Sequence, residues 1–555
     1  MSNAVDKGAE SAKRAQAFAH LDEAKLGWFH LRAVIVSGVG FFADAYDIFV
    51  IGQALPMIYQ VYYPQYITGA FPAGTINWDG QPLTNLNKTA QNQKVDFNSN
   101  YPNGAHMDAW LKASTNWGNL IGQVGFGILG DKLGRKKMYG VELIIMIVCT
   151  IGSALSAPMK NGWSILVILS IWRFVLGIGI GGDYPMSAVI TSEFANVRYR
   201  GMMLAAVFAM QGIGIMVGGI VFIATLAGMK SSIQADYTVL DQVWRIALGF
   251  GVVPAIGAVY FRLTIPETPR FTVDVIGDTQ KADSDVSKVL QMNSVANVGS
   301  NWQGDDVATA KVVVKTNTFA DFKAYFGQWR NMKTIIGTAY CWFALDVAWY
   351  GLSLNQSTVL NLINFNGPAK VTVNGSKPFA PPVDIADLFY QIALGNLIIA
   401  FCGTVPGYWV CVALVEKMGR KPIQYLGFFV ITVCLVVLGA TWDSIHTQQV
   451  PFLVVFTIAQ FFFQFGPNTT TFIVPGEVFP TRFRSTGHGI SAAAGKVGAI
   501  LGVQAVGPYF SNNTQIVLIV FAVIMATGVA ATWLIPETAG KTLEELSGEE
   551  DVIVA

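Results

Sequence analysis

The chain has 555 residues, 52% of them hydrophobic and 13% charged, with a mean hydropathy of +0.45 and a formal net charge of +1. These values exclude a soluble globular protein of this length and fit a polytopic membrane protein; the near-zero charge leaves no basic surplus for nucleic acid. The five cysteines, Cys149, Cys341, Cys402, Cys411 and Cys434, all fall in apolar segments without metal-ligand spacing, so neither a disulfide framework nor a metal site is expected.

Residues 1–32 are polar, carry no cleavable signal and read as a cytoplasmic tail. Twelve apolar segments of spanning length follow, near 33–60, 108–129, 138–157, 163–189, 201–227, 243–264, 334–356, 386–414, 422–441, 451–475, 488–509 and 514–535. Basic residues cluster in Asp131-Lys-Leu-Gly-Arg-Lys-Lys137, Arg198-Tyr-Arg200, Glu416-Lys-Met-Gly-Arg-Lys-Pro422 and Arg482-Phe-Arg484. The positive-inside rule puts these loops, both termini and the 265–333 linker in the cytoplasm. The loop at about 62–106 is then external. It contains Asn87 in Asn-Lys-Thr, and the loop near 358–384 contains Asn374 in Asn-Gly-Ser, two candidate glycosylation acceptors.

The chain repeats itself. Asp131-Lys-Leu-Gly-Arg-Lys returns as Glu416-Lys-Met-Gly-Arg-Lys at an offset of 285, which also takes Asp183 to Asn468 and Gln211 to Lys496. An offset of 284 takes Glu193, Arg198 and Arg200 to Glu477, Arg482 and Arg484, and Pro266-Glu-Thr and Pro536-Glu-Thr close the halves. The expected fold is all-α: six helices over 33–264, a cytoplasmic linker over 265–333, six helices over 334–535, and a cytoplasmic tail over 536–555. Such parallel repeats predict rocking of one half against the other around a central site.

Polar residues inside the apolar segments are costly unless paired or solvated, and so mark function. Trp342, Asp346 and Tyr350 recur at i, i+4 and i+8 and share one helical face. Lys496, among small neighbours, is placed either to bind an anion or to neutralise Asp346. Asp44 and Asp47 lie three apart on one helix. Two such carboxylates repel, so one can hold a proton near neutral pH. With Glu142 and Asp183 they form a candidate proton relay, although Glu142 equally suits a gate. Arg173 has no assignable partner. Asp131, Arg135, Glu193, Arg198, Glu416, Arg420, Glu477 and Arg482 sit at cytoplasmic helix ends, where the repeat predicts salt bridges that lock and release a gate.

The Gly-Arg-Lys loops, the Pro-Glu-Thr ends and the repeat resemble the major facilitator superfamily near its sugar-porter branch. Gly181-Gly-Asp-Tyr-Pro-Met-Ser-Ala-Val-Ile-Thr-Ser-Glu193 and Phe465-Gly-Pro-Asn-Thr-Thr-Thr-Phe-Ile-Val-Pro-Gly-Glu477 are similar to segments of the fungal high-affinity phosphate:proton symporters. That resemblance implies a plasma-membrane protein importing inorganic phosphate with protons, and no cofactor. It implies a phosphate pocket of Tyr184, Gln211, Trp342, Asp346, Tyr350, Asn468 and Lys496, with proton coupling through matching acids. Asp346 is then expected both to meet phosphate and to change protonation. A sugar or glycerophosphodiester transporter of the same superfamily remains the alternative. No nucleophile–base set points to an enzyme, and no pore-filter motif points to a channel. Oligomeric state is not legible.

Overall fold

The structure, a computed structural model, describes residues 27–64, 104–160, 162–263, 267–276, 318–363, 365, 385–510 and 513–548. Asn87 and Asn374 lie outside the described residues. The first six long helices are α1 (Trp28–Tyr62), α2 (Gly104–Leu133), α3 (Arg135–Ala154), α4 (Ile165–Phe194), α5 (Arg200–Gly228) and α6, the last in two pieces, Leu240–Gly249 and Val252–Leu263. The second six are α7 (Trp329–Ser353), α8 (Ile385–Ile399 continuing to Met418 through a π-turn), α9 (Arg420–Ala440), α10 (Gln449–Phe463 and Thr469–Val478), α11 (Arg484–Ile500) and α12 (Thr514–Ala531). Among the described residues every regular element is helical. The fold is a twelve-helix, 6+6 pseudo-symmetric bundle.

Among the described residues, eleven helical stretches are long and apolar enough to cross a membrane, and α2 is not among them. Its 30 residues reach about 45 Å at 1.5 Å per residue, ample for a bilayer. What lowers its hydropathy is a buried polar face carrying Lys112, Asn116, Asn119 and Gln123, spaced to lie along one side. Gly118 and Gly122, beside that face, let α2 press against Gly177 and Gly181 of α4, where an added methyl would strike backbone. On the other flank, Gly127 presses on Ser485 of α11. The polar face therefore points to the midline between the halves.

The halves meet mainly through α2 with α11 and through α5 with α8, two contacts related by the repeat. Both ends of this seam are closed. Towards the α1 C-terminus, Lys112 Nζ donates to Asn355 Oδ1 at 2.9 Å, Trp117 Nε1 to Gln504 Oε1 at 3.2 Å, and Ser357 Oγ to the Gly52 carbonyl at 3.3 Å. At the opposite end, Asp131 accepts from the Ser485 and Thr486 amides, and Glu416 accepts from the Met202 amide at 3.0 Å. The molecule is occluded.

Candidate functional site

The centre of the seam is built from side chains of both halves. Lys496 Nζ donates to Asp346 Oδ2 at 2.9 Å and to the Tyr350 hydroxyl at 2.8 Å. It also stands 4.2 Å from the Tyr350 ring centroid and 5.2 Å from that of Tyr184. Glycine allows this approach: a methyl on Gly495 would lie 2.9 Å from the Asp346 carboxylate and would also strike the Trp342 ring. Trp342 then tilts against Tyr184, with ring centroids 6.2 Å apart.

A chain of neutral hydrogen bonds completes the site. Asn468 Nδ2 donates to the Tyr408 hydroxyl at 2.9 Å, Tyr408 donates to Gln211 Oε1 at 3.1 Å, and Gln211 Nε2 donates to the Tyr184 hydroxyl at 2.9 Å. The chain crosses the midline at Tyr408–Gln211. A break in α10 directs Asn468: Phe465 and Gly466 leave helical geometry ahead of Pro467, which lacks an N–H to continue the ladder. Asn468 also donates to Gln464 Oε1 at 2.5 Å. All seven residues expected from the sequence are buried here, and Tyr408 and Gln464 join them. Neither addition had a sequence signal, because a tyrosine or glutamine in an apolar run is ordinary packing.

The expected proton-relay acids form two groups instead of one. Arg262 of α6 donates to Glu142 Oε1 and to Asp183 Oδ2, each at 2.6 Å, with its guanidinium 4.1 Å from the Tyr139 ring centroid. Gly40 of α1 leaves the slot, since a methyl there would collide with that guanidinium. Glu142 is thus held in this cluster. Asp44 is fully buried beside the cluster and lies within reach of Asp183, Arg262 and Lys496. Asp47 belongs elsewhere: it accepts from Thr150 Oγ1 at 2.7 Å, and Arg173 Nη1 donates to its backbone carbonyl at 2.7 Å. Arg173 therefore gains a partner that sequence reasoning could not assign. Arg262 itself was overlooked, although an arginine two residues from the end of the sixth apolar segment was the available signal.

The expected gate residues separate in the same way. Arg135 pairs with Asp131 at 3.3 Å and Glu193 at 3.4 Å, and Arg420 pairs with Glu416 at 2.6 Å and Glu477 at 2.9 Å. Arg198 differs from expectation. Arg198 is exposed and lies over its neighbour Tyr199, and Arg482 lies over Phe483. The arginines that reach inward are two residues later: Arg484 Nη1 meets Glu193 Oε1 at 2.8 Å, and Arg200 Nη1 donates to the Lys541 carbonyl at 3.0 Å. The cause is local, because each helix begins at the later arginine, which then points into the bundle.

The Pro-Glu-Thr glutamates cap helices. Gly134 and Gly419 adopt φ of 102° and 86°, a region that favours glycine. Just after them, Glu267 accepts from the Lys136 amide at 3.2 Å, and Glu537 accepts from the Arg420 and Lys421 amides at 3.0 and 2.9 Å. Carboxylates at the N-termini of α3 and α9 satisfy otherwise orphaned N–H groups.

Two closed helical halves around a buried site with one cation, one carboxylate and neutral donors define a secondary transporter that works by alternating access. The chain belongs to the sugar (and other) transporter family, whose family model matches residues 33–549. It is 40% identical to the repressible high-affinity phosphate permease of Neurospora crassa, over 97% of this chain and 90% of the relative. It is 39% identical to the inorganic phosphate transporter PHO84 of Saccharomyces cerevisiae, over 96% of this chain and 87% of that one. Its fold matches the xylose transporter XylE from E. coli in a partially occluded inward-open conformation, with a TM-score of 0.64 at 17% identity, over 93% and 99% of the two chains.

Proposed function

We propose that the protein imports inorganic phosphate together with protons across the plasma membrane, with both termini in the cytoplasm. The observation that carries this reading is the buried Lys496–Asp346 pair ringed by Tyr184, Gln211, Trp342, Tyr350 and Asn468. An unhydrated ammonium is a poor partner for a neutral sugar and a good one for an oxyanion. The full-length likeness to named phosphate transporters supports the same substrate.

Phosphate enters by breaking bonds that the side chains of the site make with one another. It takes Lys496 from Tyr350 and draws donors from Gln211, Asn468 and the tyrosines. Asp346 must then carry a proton, because an ionised carboxylate beside phosphate would repel it. In the protonated form it donates to a phosphate oxygen, and losing the proton expels the anion. Asp44, between Lys496 and the Arg262 cluster, is placed to pass protons from the first half to the second. The gate pairs around Arg135 and Arg420 then part as the halves rock.

The test is labelled phosphate uptake in cells lacking their own phosphate uptake, measured against pH, with sulfate, glycerophosphodiesters and hexoses as competitors. Uptake that rises as the outside is acidified, collapses with a protonophore and resists hexoses is expected. Transport insensitive to the protonophore removes the coupling, and absent phosphate uptake in a surface-expressed protein removes the substrate.

A further inference from the structure

A cavity outside the central site lies at the gate end of the second half. It measures roughly 490 Å³ and is bounded by the start of α7, the end of α12, Lys421 of α9 and the C-terminal helix Leu543–Ser547. Among the described residues four cations line it, Arg330, Lys333, Lys421 and Lys541, against one carboxylate, Glu545. Lys421 Nζ is engaged, donating to the Trp533 and Ile535 carbonyls at 3.2 and 3.0 Å. The side chains of Arg330, Lys333 and Lys541 are exposed and make no ion pair among the described residues. None of these residues takes part in the central site.

The mouth of the cavity is apolar on one side. Trp329 and Trp533 are 70% and 75% exposed at the ends of two membrane helices, the depth at which tryptophan marks a membrane–water interface. Above Trp329, the exposed Met332, Ile336 and Tyr340 continue one lipid-facing stripe along α7. A ligand here meets cations at one end and acyl-chain-compatible surface at the other. A soluble anion would use only the first. Basic pockets between membrane helices on the cytoplasmic side are a recurrent way of holding phosphorylated lipid headgroups, and the volume suits a small polar group.

We propose that this cavity binds the headgroup of an anionic phospholipid bearing more than one phosphate, with its chains along Ile336 and Tyr340. The bound lipid favours the occluded state. The cavity wall includes Val478 and Phe479, next to Glu477 of the gate, and the C-terminal helix that Glu544 ties to Arg270 at 3.1 Å. A headgroup bridging α7, α9 and this helix holds them in the closed arrangement, so lipid composition tunes the transport rate.

The experiment reconstitutes the full-length protein in vesicles of zwitterionic phospholipid alone or with a few per cent of a polyphosphorylated inositol phospholipid. Bound lipid is read by native mass spectrometry and stability by the thermal unfolding midpoint. The wild type is expected to retain the anionic lipid through detergent extraction and to unfold several degrees higher with it. The triple variant Arg330→Gln, Lys333→Gln, Lys541→Gln is expected to lose both effects while keeping wild-type phosphate uptake in zwitterionic vesicles. Equal lipid retention by the triple variant overturns the proposal. So does an equal thermal shift produced by the soluble headgroup or by inorganic phosphate, since either would make this a site for soluble anions. A third overturning result is lipid binding that appears only after the aspartates within residues 277–317 are neutralised, which would make that stretch of the linker the occupant.

Discussion

At the scale of single residues, the site is organised by a few charges that cannot be separated cheaply. Removing one partner of a buried ion pair typically costs about 3–5 kcal/mol. Arg262 serves two carboxylates at once, so Arg262→Ala is expected to lower the thermal midpoint of the purified protein by that order. Adding Glu142→Gln should recover part of the loss, and an unchanged midpoint in the single variant would show that Arg262 does not hold the acids. Asp346→Asn is expected to reduce phosphate uptake at least tenfold with surface expression intact, because it removes the titrating group and preserves the shape. Near-normal uptake would take Asp346 out of the mechanism. Lys496→Ala should weaken phosphate binding by a similar factor, read as a raised half-saturation concentration. These two residues were legible from sequence because a charge in an apolar run stands out. Tyr408 was not, since its role depends on a neighbour 197 positions away.

At the scale of elements, the two halves build the same device twice. The glutamate that ends each half caps the helix following a glycine turn, as Glu537 does for α9. Burial works against the charge of Glu537, but the backbone N–H groups of Ala539, Lys421, Arg420 and Thr538 outweigh it and hold its carboxyl below the usual range. Glu544 is also buried, yet Arg270 and Arg484 bring it down to about 2. Both carboxyls are more acidic folded than unfolded. Their contribution is therefore complete above the unfolded value, about 4.3 for glutamate, and is lost as pH falls through the folded values. The thermal midpoint should drop between pH 5 and pH 3, and Glu537→Gln should flatten part of that slope; an identical slope in the variant would contradict the assignment. The offset of 285 disclosed the paired glycine turns in advance, and the recurrence of Pro-Glu-Thr, 536 − 266 = 270 positions apart, disclosed the glutamates. They could not disclose that Arg200 turns inward while Arg198 is exposed, because that choice rests on where the helix starts.

At the scale of the whole molecule, both ends of the seam between the halves are closed, and each end has its own fasteners. Asp131 and Glu416 each bind the first turn of a helix in the opposite half. Asp131→Asn with Glu416→Gln should weaken only the gate end. A cysteine introduced at Ser485 is then expected to label faster from the side on which the gate lies, with the thermal midpoint changing little. Unaltered labelling would show that these acids do not hold the seam. The twelve-helix, two-half plan was legible in hydropathy and repeats. The α2 face was less so: Asn116, Asn119 and Gln123 fall within a segment expected to span, and only the glycine contacts on either side show that they face the midline.

The charges around the centre also set what a voltage should do. Five carboxyls, Asp44, Asp47, Glu142, Asp183 and Asp346, share that interior with three cations, Arg173, Arg262 and Lys496, and 5 − 3 leaves two negative charges unmatched. Two protons would cancel them. When both accompany a phosphate monoanion, each turnover carries one net positive charge inward, and an inside-negative membrane contributes about 2.3 kcal/mol per 100 mV to that movement. Phosphate added outside should therefore evoke an inward current that grows with hyperpolarisation, and uptake without current would reduce the count to one proton. The cell's electrical potential, as much as its pH gradient, would then set how far phosphate can be concentrated.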